Sequence, residues 1–160
     1  MSALRDVLLV LTVVTSGLSA GLLATFAYAV MPGMRRASPL SSVAVMQRIN
    51  VAIINPLFAV IFFGPLLFGG LGIVFWWDEP LRWWLVAGVG LTVAAVAITM
   101  VVNVPLNNRL AAAGTVADGD APVVWTQFAR PWVRWNIIRA VVATAGFVVI
   151  VVGLVQISGQ

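Results

Sequence analysis

Residues 125–139 read WTQFARPWVRWNIIR, and this stretch decides how the rest of the chain is read. It gathers three Trp, three Arg, one Asn and one Pro at the head of an otherwise oily segment. On a helix, Trp132, Trp135, Asn136 and Arg139 fall at i, i+3, i+4 and i+7 and so share one face. Trp125 and Phe128 carry the same stripe upstream. Arg130 and Arg134 lie one turn apart on another side, where lipid phosphate or water can meet them. Beyond Arg139 the segment carries no charge at all. It reads as the polar doorway of a membrane-spanning helix.

The composition agrees. The chain is 62% hydrophobic and 9% charged, with a mean hydropathy of +1.08, whereas a soluble domain is about a quarter charged. This is the composition of an integral membrane protein, and 160 residues make about one domain. The net charge of +4 rests on Arg alone, since there is no Lys. Those Arg residues are dispersed among apolar runs, so they speak of membrane topology and lipid phosphate rather than nucleic acid. The lack of Cys excludes disulfides and thiolate chemistry. The lack of His excludes an imidazole base and any haem or zinc site built on imidazole.

Outward from the opening stretch, four spans are expected, at about 7–30, 51–76, 82–105 and 133–155. In the first, Arg5, an apolar run and Ala27-Tyr28-Ala29 imitate a signal peptide. The run is long enough to cross a bilayer, which takes about 20 residues, and is expected to be retained. Gly17 and Gly21 form a GxxxG pair, expected to pack helices closely within the monomer and otherwise the natural seam for a homo-oligomer. Pro32-Gly33 ends the span, and Ser41 or Ser42 is the expected cap of the next helix. That helix should run from about 42 to 76, bent at Pro56 and Pro65. Trp76, Trp77, Asp78, Glu79, Pro80, Arg82, Trp83 and Trp84 form a turn inside an interfacial aromatic belt, with the two acids solvated. A polar loop follows at 111–121. Asp120 and Pro122 then open an interfacial segment over about 121–131, which Pro131 is expected to break. The expected architecture is all-α: an integral-membrane four-helix bundle with a short interfacial helix before the fourth span.

Arg35, Arg36, Arg48, Arg109, Arg130, Arg134 and Arg139 fall on one side of this layout, against Arg5 and Arg82 on the other. The positive-inside rule then places the Arg-rich loops in the cytoplasm and both termini outside, in a multi-pass protein of the cell membrane. All six Asn lie toward the same Arg-rich pole. A buried amide without a partner costs roughly 1–3 kcal/mol, so these groups must answer one another, water or a ligand. We expect a polar cavity there, lined by the second, third and fourth helices through Arg48, Asn50, Asn55, Asn103, Asn107, Trp132, Trp135, Asn136 and Arg139. Tyr28, the only Tyr, lies at the same end of the first helix. Residue by residue the plainer reading also applies: Arg snorkels to phosphate, Asn joins helices, and Trp forms the belt.

The segments MQRIN…NP (46–56), NVPLN (103–107) and RPWVRWNIIR (130–139), in a four-span frame with a Pro after the first span, resemble the anthrone-oxygenase-like family of small membrane proteins. That resemblance covers nearly the whole chain. It implies oxidation by O2, without a cofactor or metal, of an anthrone or similar polycyclic phenol to the quinone. An anthrone has an acidic C–H whose loss leaves an electron-rich enolate. The protein would then supply an apolar slot, a cation and amide donors for the oxyanion, and a route for the proton. Arg139 or Arg48 would be the cation, Asn136, Asn103 and Asn107 the donors, Trp132 and Trp135 the stacking surface, and Tyr28 or water the proton acceptor.

Two other classes compete. A non-catalytic module that binds a lipid, a quinone or a partner membrane protein fits the lack of an evident base. A small transporter fits less well, because ion coupling in the membrane leans on a buried carboxylate and all five acids lie in loops or at a helix end. The expected partners are an apolar or aromatic small molecule and membrane lipids.

Overall fold

Proline and glycine set the breaks in this chain, as its computed structural model shows. The structure describes residues 2–158. Helix α1 (Ser2–Thr25) runs through a π-turn at Phe26–Val30 into α2 (Met31–Met34). The short α3 (Pro39–Ala52) precedes α4 (Pro56–Phe75). Helix α5 (Leu81–Ile98) passes through a second π-turn at Thr99–Asn103 into α6 (Val104–Ala112), and α7 (Ala121–Ser158) completes the fold. Four segments are long and apolar enough to cross a membrane: Ala3–Met34, Pro56–Phe75, Leu81–Ala112 and Ala121–Ile157. The chain is therefore all-α and multi-spanning, as expected.

Both π-turns lie just before a proline. In a regular helix the ring of Pro32 would collide with the carbonyl of Tyr28, and that of Pro105 with the carbonyl of Val101. Each turn is instead widened: the Met31 N–H reaches back five residues to the Phe26 carbonyl, and the Val104 N–H to that of Thr99. The helix survives the proline at the cost of a local rotation of its side chains.

The long helices close a ring in which α1 packs on α4 and α7, and α5 packs on the same two. Small residues set the spacing. A Cβ added at Gly88 of α5 would lie 2.9 Å from the Gly146 carbonyl oxygen of α7 and 2.4 Å from Ile150. One added at Gly17 would meet the Phe147 ring at 3.2 Å, so that glycine is used within the monomer, whereas Gly21 is open. At the Trp-rich end Arg5 pairs with Glu79 and lies 4.5 Å over the Trp76 ring, while Arg82 lies 4.8 Å over Trp83.

Two breaks differ from expectation. Pro131 does not interrupt its helix, and α7 is continuous from Ala121. The reason is packing: Trp125, Phe128 and Ala129 before it, and Trp132 and Val133 after it, share one buried cluster with Met31, Met34, Val43, Met46 and Leu110. Breaking the helix would expose those rings, whereas the missing N–H frees only the carbonyl of exposed Gln127. The break falls at Pro56 instead, so residues 42–76 are not one bent rod. Asn55 turns extended, and its side chain accepts the Phe58 N–H at 2.9 Å to cap α4. Helix α3 is capped by Ser38, not by Ser41 or Ser42. With 14 residues it is too short to cross about 30 Å of hydrocarbon. The short helix outside the spans thus precedes the second span, and 121–131 is the opening of the fourth.

Helix α7 has 38 residues, about 57 Å at ~1.5 Å per residue, roughly twice the hydrocarbon thickness. Trp84 of the aromatic belt packs on Gly153. Counting about 20 residues back from there reaches the turn that holds Asn136. By that length Asn136 and Arg139 lie toward one end of the span, at the pole that also carries α2, α3, α6 and the first turns of α7.

Candidate functional site

Most of the α7 stripe read from the sequence faces inward: Trp125, Phe128, Trp132, Asn136 and Arg139 are buried. Asn136, completely buried, donates from Nδ2 to the Leu23 carbonyl of α1 at 3.2 Å. Its Oδ1 accepts two bonds from Arg139, from Nε at 3.1 Å and Nη2 at 2.9 Å. Arg139 Nη1 donates to the Thr99 hydroxyl at 3.2 Å, and that hydroxyl donates on to the Ala95 carbonyl. The guanidinium carbon sits 5.3 Å from the centroid of the Trp132 ring. Trp132 Nε1 donates to Asn107 Oδ1 at 2.8 Å, and its ring leans on Phe26 and Phe128. One cation is thus held by an amide, a hydroxyl and an indole face.

Its charge has no opposite. Arg139 is only 7% exposed, and the one ion pair among the described residues is Arg5 with Glu79 at the far end. A guanidinium near hydrocarbon is expensive unless polar groups surround it, and here only neutral dipoles do. The bonds to Asn136 and Thr99 engage three of its five N–H donors. Asn103 is completely buried and donates to the Trp132 backbone carbonyl at 3.5 Å, but its Oδ1 has no partner. Donor capacity and acceptor capacity are therefore both left over in the residues packed on Trp132.

Of the residues expected to line a polar cavity, the structure brings together Arg139, Asn136, Trp132, Asn103 and Asn107, but packs them against one another where an open cavity was expected. Trp135 on α7 is half-buried. Arg48 is exposed on α3, and exposed Asn55 is occupied in capping α4. Asn50 is half-buried on α3, with a buried Nδ2 that has no partner. Tyr28, carried in the first π-turn, is 72% exposed. The expected contribution of the second helix is replaced by α1, through the Leu23 carbonyl, and by Phe26 of the π-turn that follows it. Cutting the 42–76 rod at Pro56 is what removes Arg48, Asn50 and Asn55 from the wall.

Sequence reasoning missed two members. Thr99 was legible, since it precedes Asn103 by four residues as Asn103 precedes Asn107. The Leu23 carbonyl left no signal, being a backbone group in an apolar run. Gln47, another polar residue of this pole, has a structural place: its amide donates to the Leu110 and Gly114 carbonyls at 2.9 and 3.0 Å, closing the end of α6.

Beside the polar cluster, on the outer side of the α1–α7 seam, lies an apolar groove of about 520 Å³. Ala24, Ala27 and Tyr28 line one wall, and the stripe Ile137, Ala140, Val141, Thr144, Ala145 and Val148 the other.

Fold and site together define a multi-span membrane protein with a buried, uncompensated cation at one pole. Residues 56–149 match the family model described as anthrone oxygenase, and the chain belongs to that family. The matched region begins at the first residue of α4 and includes Thr99, Asn103, Asn107, Trp132, Asn136 and Arg139. No curated protein and no solved structure matches the chain.

Proposed function

We propose that this protein is a membrane-embedded oxygenase that uses O2, without a cofactor, to convert an anthrone-type or other polycyclic phenolic substrate to its quinone. The observation that carries this reading is Arg139: a buried guanidinium with no carboxylate, spare N–H donors and an aromatic face beside it. Family membership supplies the class of reaction.

The chemistry balances without a prosthetic group. Loss of a proton from the ring CH2 leaves an enolate whose negative charge sits on the former carbonyl oxygen. The enolate transfers an electron to O2, and recombination forms a C–O bond and, with a proton, a hydroperoxide at that carbon. Loss of water then leaves the second carbonyl, so substrate plus O2 gives quinone plus water. Arg139 lowers the cost of the enolate by meeting its oxygen as charge develops. Asn103 Oδ1 accepts from a hydroxyl beside that oxygen, and Trp132, packed between Phe26, Phe128 and the guanidinium, holds Arg139 in place. The proton leaves to water, or the substrate arrives ionised.

The test is O2 uptake by purified protein in detergent with an anthrone as substrate. Wild type should accelerate uptake over buffer, and Arg139→Ala should abolish the acceleration. Unchanged turnover in that variant removes the site.

A second reading is favoured by one observation: no carboxylate or imidazole touches Arg139. In that reading the protein is a non-catalytic module whose guanidinium holds a lipid head group or a quinone. Absence of any acceleration by wild type would favour it. In either case we infer a cell-membrane orientation with the Arg-rich loops cytoplasmic and both termini outside.

A further inference from the structure

The groove between α1 and α7 combines an apolar slot with a hydroxyl that makes no hydrogen bond within the protein. Seven threonines lie on helices or their turns. Thr12, Thr15, Thr25, Thr92, Thr99 and Thr126 each donate to the carbonyl four residues back, the usual way to satisfy a hydroxyl in hydrocarbon. Thr144 is the exception. Its hydroxyl has no such bond, and it opens into the groove. Thr144 lies two turns beyond Asn136, about 12 Å along α7 at ~1.5 Å per residue, well inside the hydrocarbon. Against a lipid chain or the apolar face of a helix that hydroxyl could only turn back to the Ala140 carbonyl, as the other six do, whereas a flat molecule bearing a phenol or carbonyl would bond it as it stands, opening into the groove.

The groove also has the right shape and place. Its floor is methyl-sized, with Ala24 and Ala27 facing Ala140 and Ala145, and its volume of about 520 Å³ falls within the range of small-molecule pockets. It adjoins the polar cluster directly. Ala140 follows Arg139 in the chain, and the Asn136–Leu23 hydrogen bond crosses the same seam between α1 and α7. We propose that this groove is the port through which the polycyclic substrate leaves the bilayer, held there by a hydrogen bond with the Thr144 hydroxyl before it passes to Arg139. The proposal rests on the oxygenase reading for the identity of its ligand, but not for its test.

The test uses anthraquinone, the stable product-class probe, titrated against the full-length protein in detergent with tryptophan fluorescence quenching as the readout. Thr144→Val keeps the shape and removes the hydroxyl, and should weaken binding about tenfold. Ala24→Phe fills the slot and should weaken it at least as much, while Val93→Phe, an exposed position on α5, should not. With an anthrone as substrate, Thr144→Val should raise KM by the same factor and leave kcat unchanged. Wild-type affinity in both groove variants, or no saturable binding by wild type, overturns the port. If wild type binds anthraquinone and the groove variants do not, but none accelerates O2 uptake, the port stands and the oxygenase reading falls.

Discussion

At the residue scale, the cluster is built for something other than stability. A buried cation without a counter-charge burdens the fold, and replacing buried ionic groups by well-packed apolar ones is often neutral or stabilising. Arg139→Met combined with Asn136→Leu, which leaves no orphaned amide oxygen, should therefore leave the thermal midpoint in detergent unchanged or raise it, while O2 uptake with an anthrone falls by about 100-fold or more, the usual loss for one oxyanion donor. A drop in both would make Arg139 a structural post. Asn103→Leu follows the same logic, because it removes an acceptor that has no partner in the fold. It should cost little stability and should weaken turnover only of substrates with a hydroxyl beside the carbonyl. An unsubstituted anthrone is the control, and an equal effect on both substrates would refute the assignment. The stripe from Trp132 to Arg139 was readable because it lies on one unbroken helix, where periodicity alone fixes the face. Tyr28, Arg48 and Asn55 were misplaced because each lies at or beyond a proline-induced change of register or direction.

At the scale of the element, the two π-turns decide which side chains meet. Thr99 and Asn103 both sit in the turn that Pro105 forces open, and Arg139 depends on Thr99. Pro105→Ala restores the missing N–H and removes the ring, so the segment can relax to a regular helix and rotate Asn103 away from Trp132. We expect thermal stability to hold or rise, as when a helix-interior proline is lost, with turnover falling at least tenfold and little change in substrate binding. Unaltered kcat would mean that the wide turn is incidental. Asn55→Ala provides the contrast: loss of the α4 cap should cost about 1 kcal/mol, read as a lower thermal midpoint, with turnover per folded molecule intact. Sequence reasoning recognised the prolines but not which would break a helix and which would only widen it. That choice was made by burial: Pro131 lies in a helix stapled by aromatic rings on both sides, whereas Pro56 follows a residue able to cap.

At the scale of the whole molecule, the ring of helices and the charge asymmetry make separate claims. The number of spans and their helical nature were legible from apolar length alone, which needs no tertiary information. The order of packing was not, since it depends on where glycines meet. Charge sets which way the molecule faces. The Arg-rich pole carries the roof formed by α2, α3, α6 and the head of α7, and its exposed Arg side chains would have to be dragged across hydrocarbon to invert it, at a cost of at least ~2.5 kcal/mol each. The opposite pole carries Arg5 and Arg82, one paired with Glu79 and the other lying over Trp77 and Trp83. Because the chain has no Cys, a single introduced thiol reports its side without background. Asp78→Cys in the turn between α4 and α5 should react with a membrane-impermeant maleimide on intact cells. Asp118→Cys in the loop before α7 should react only after the cells are opened. The reverse pattern would turn the molecule over. It would place Arg139 and its amides at the outer face, so that a substrate made inside the cell would have to cross the bilayer to reach them.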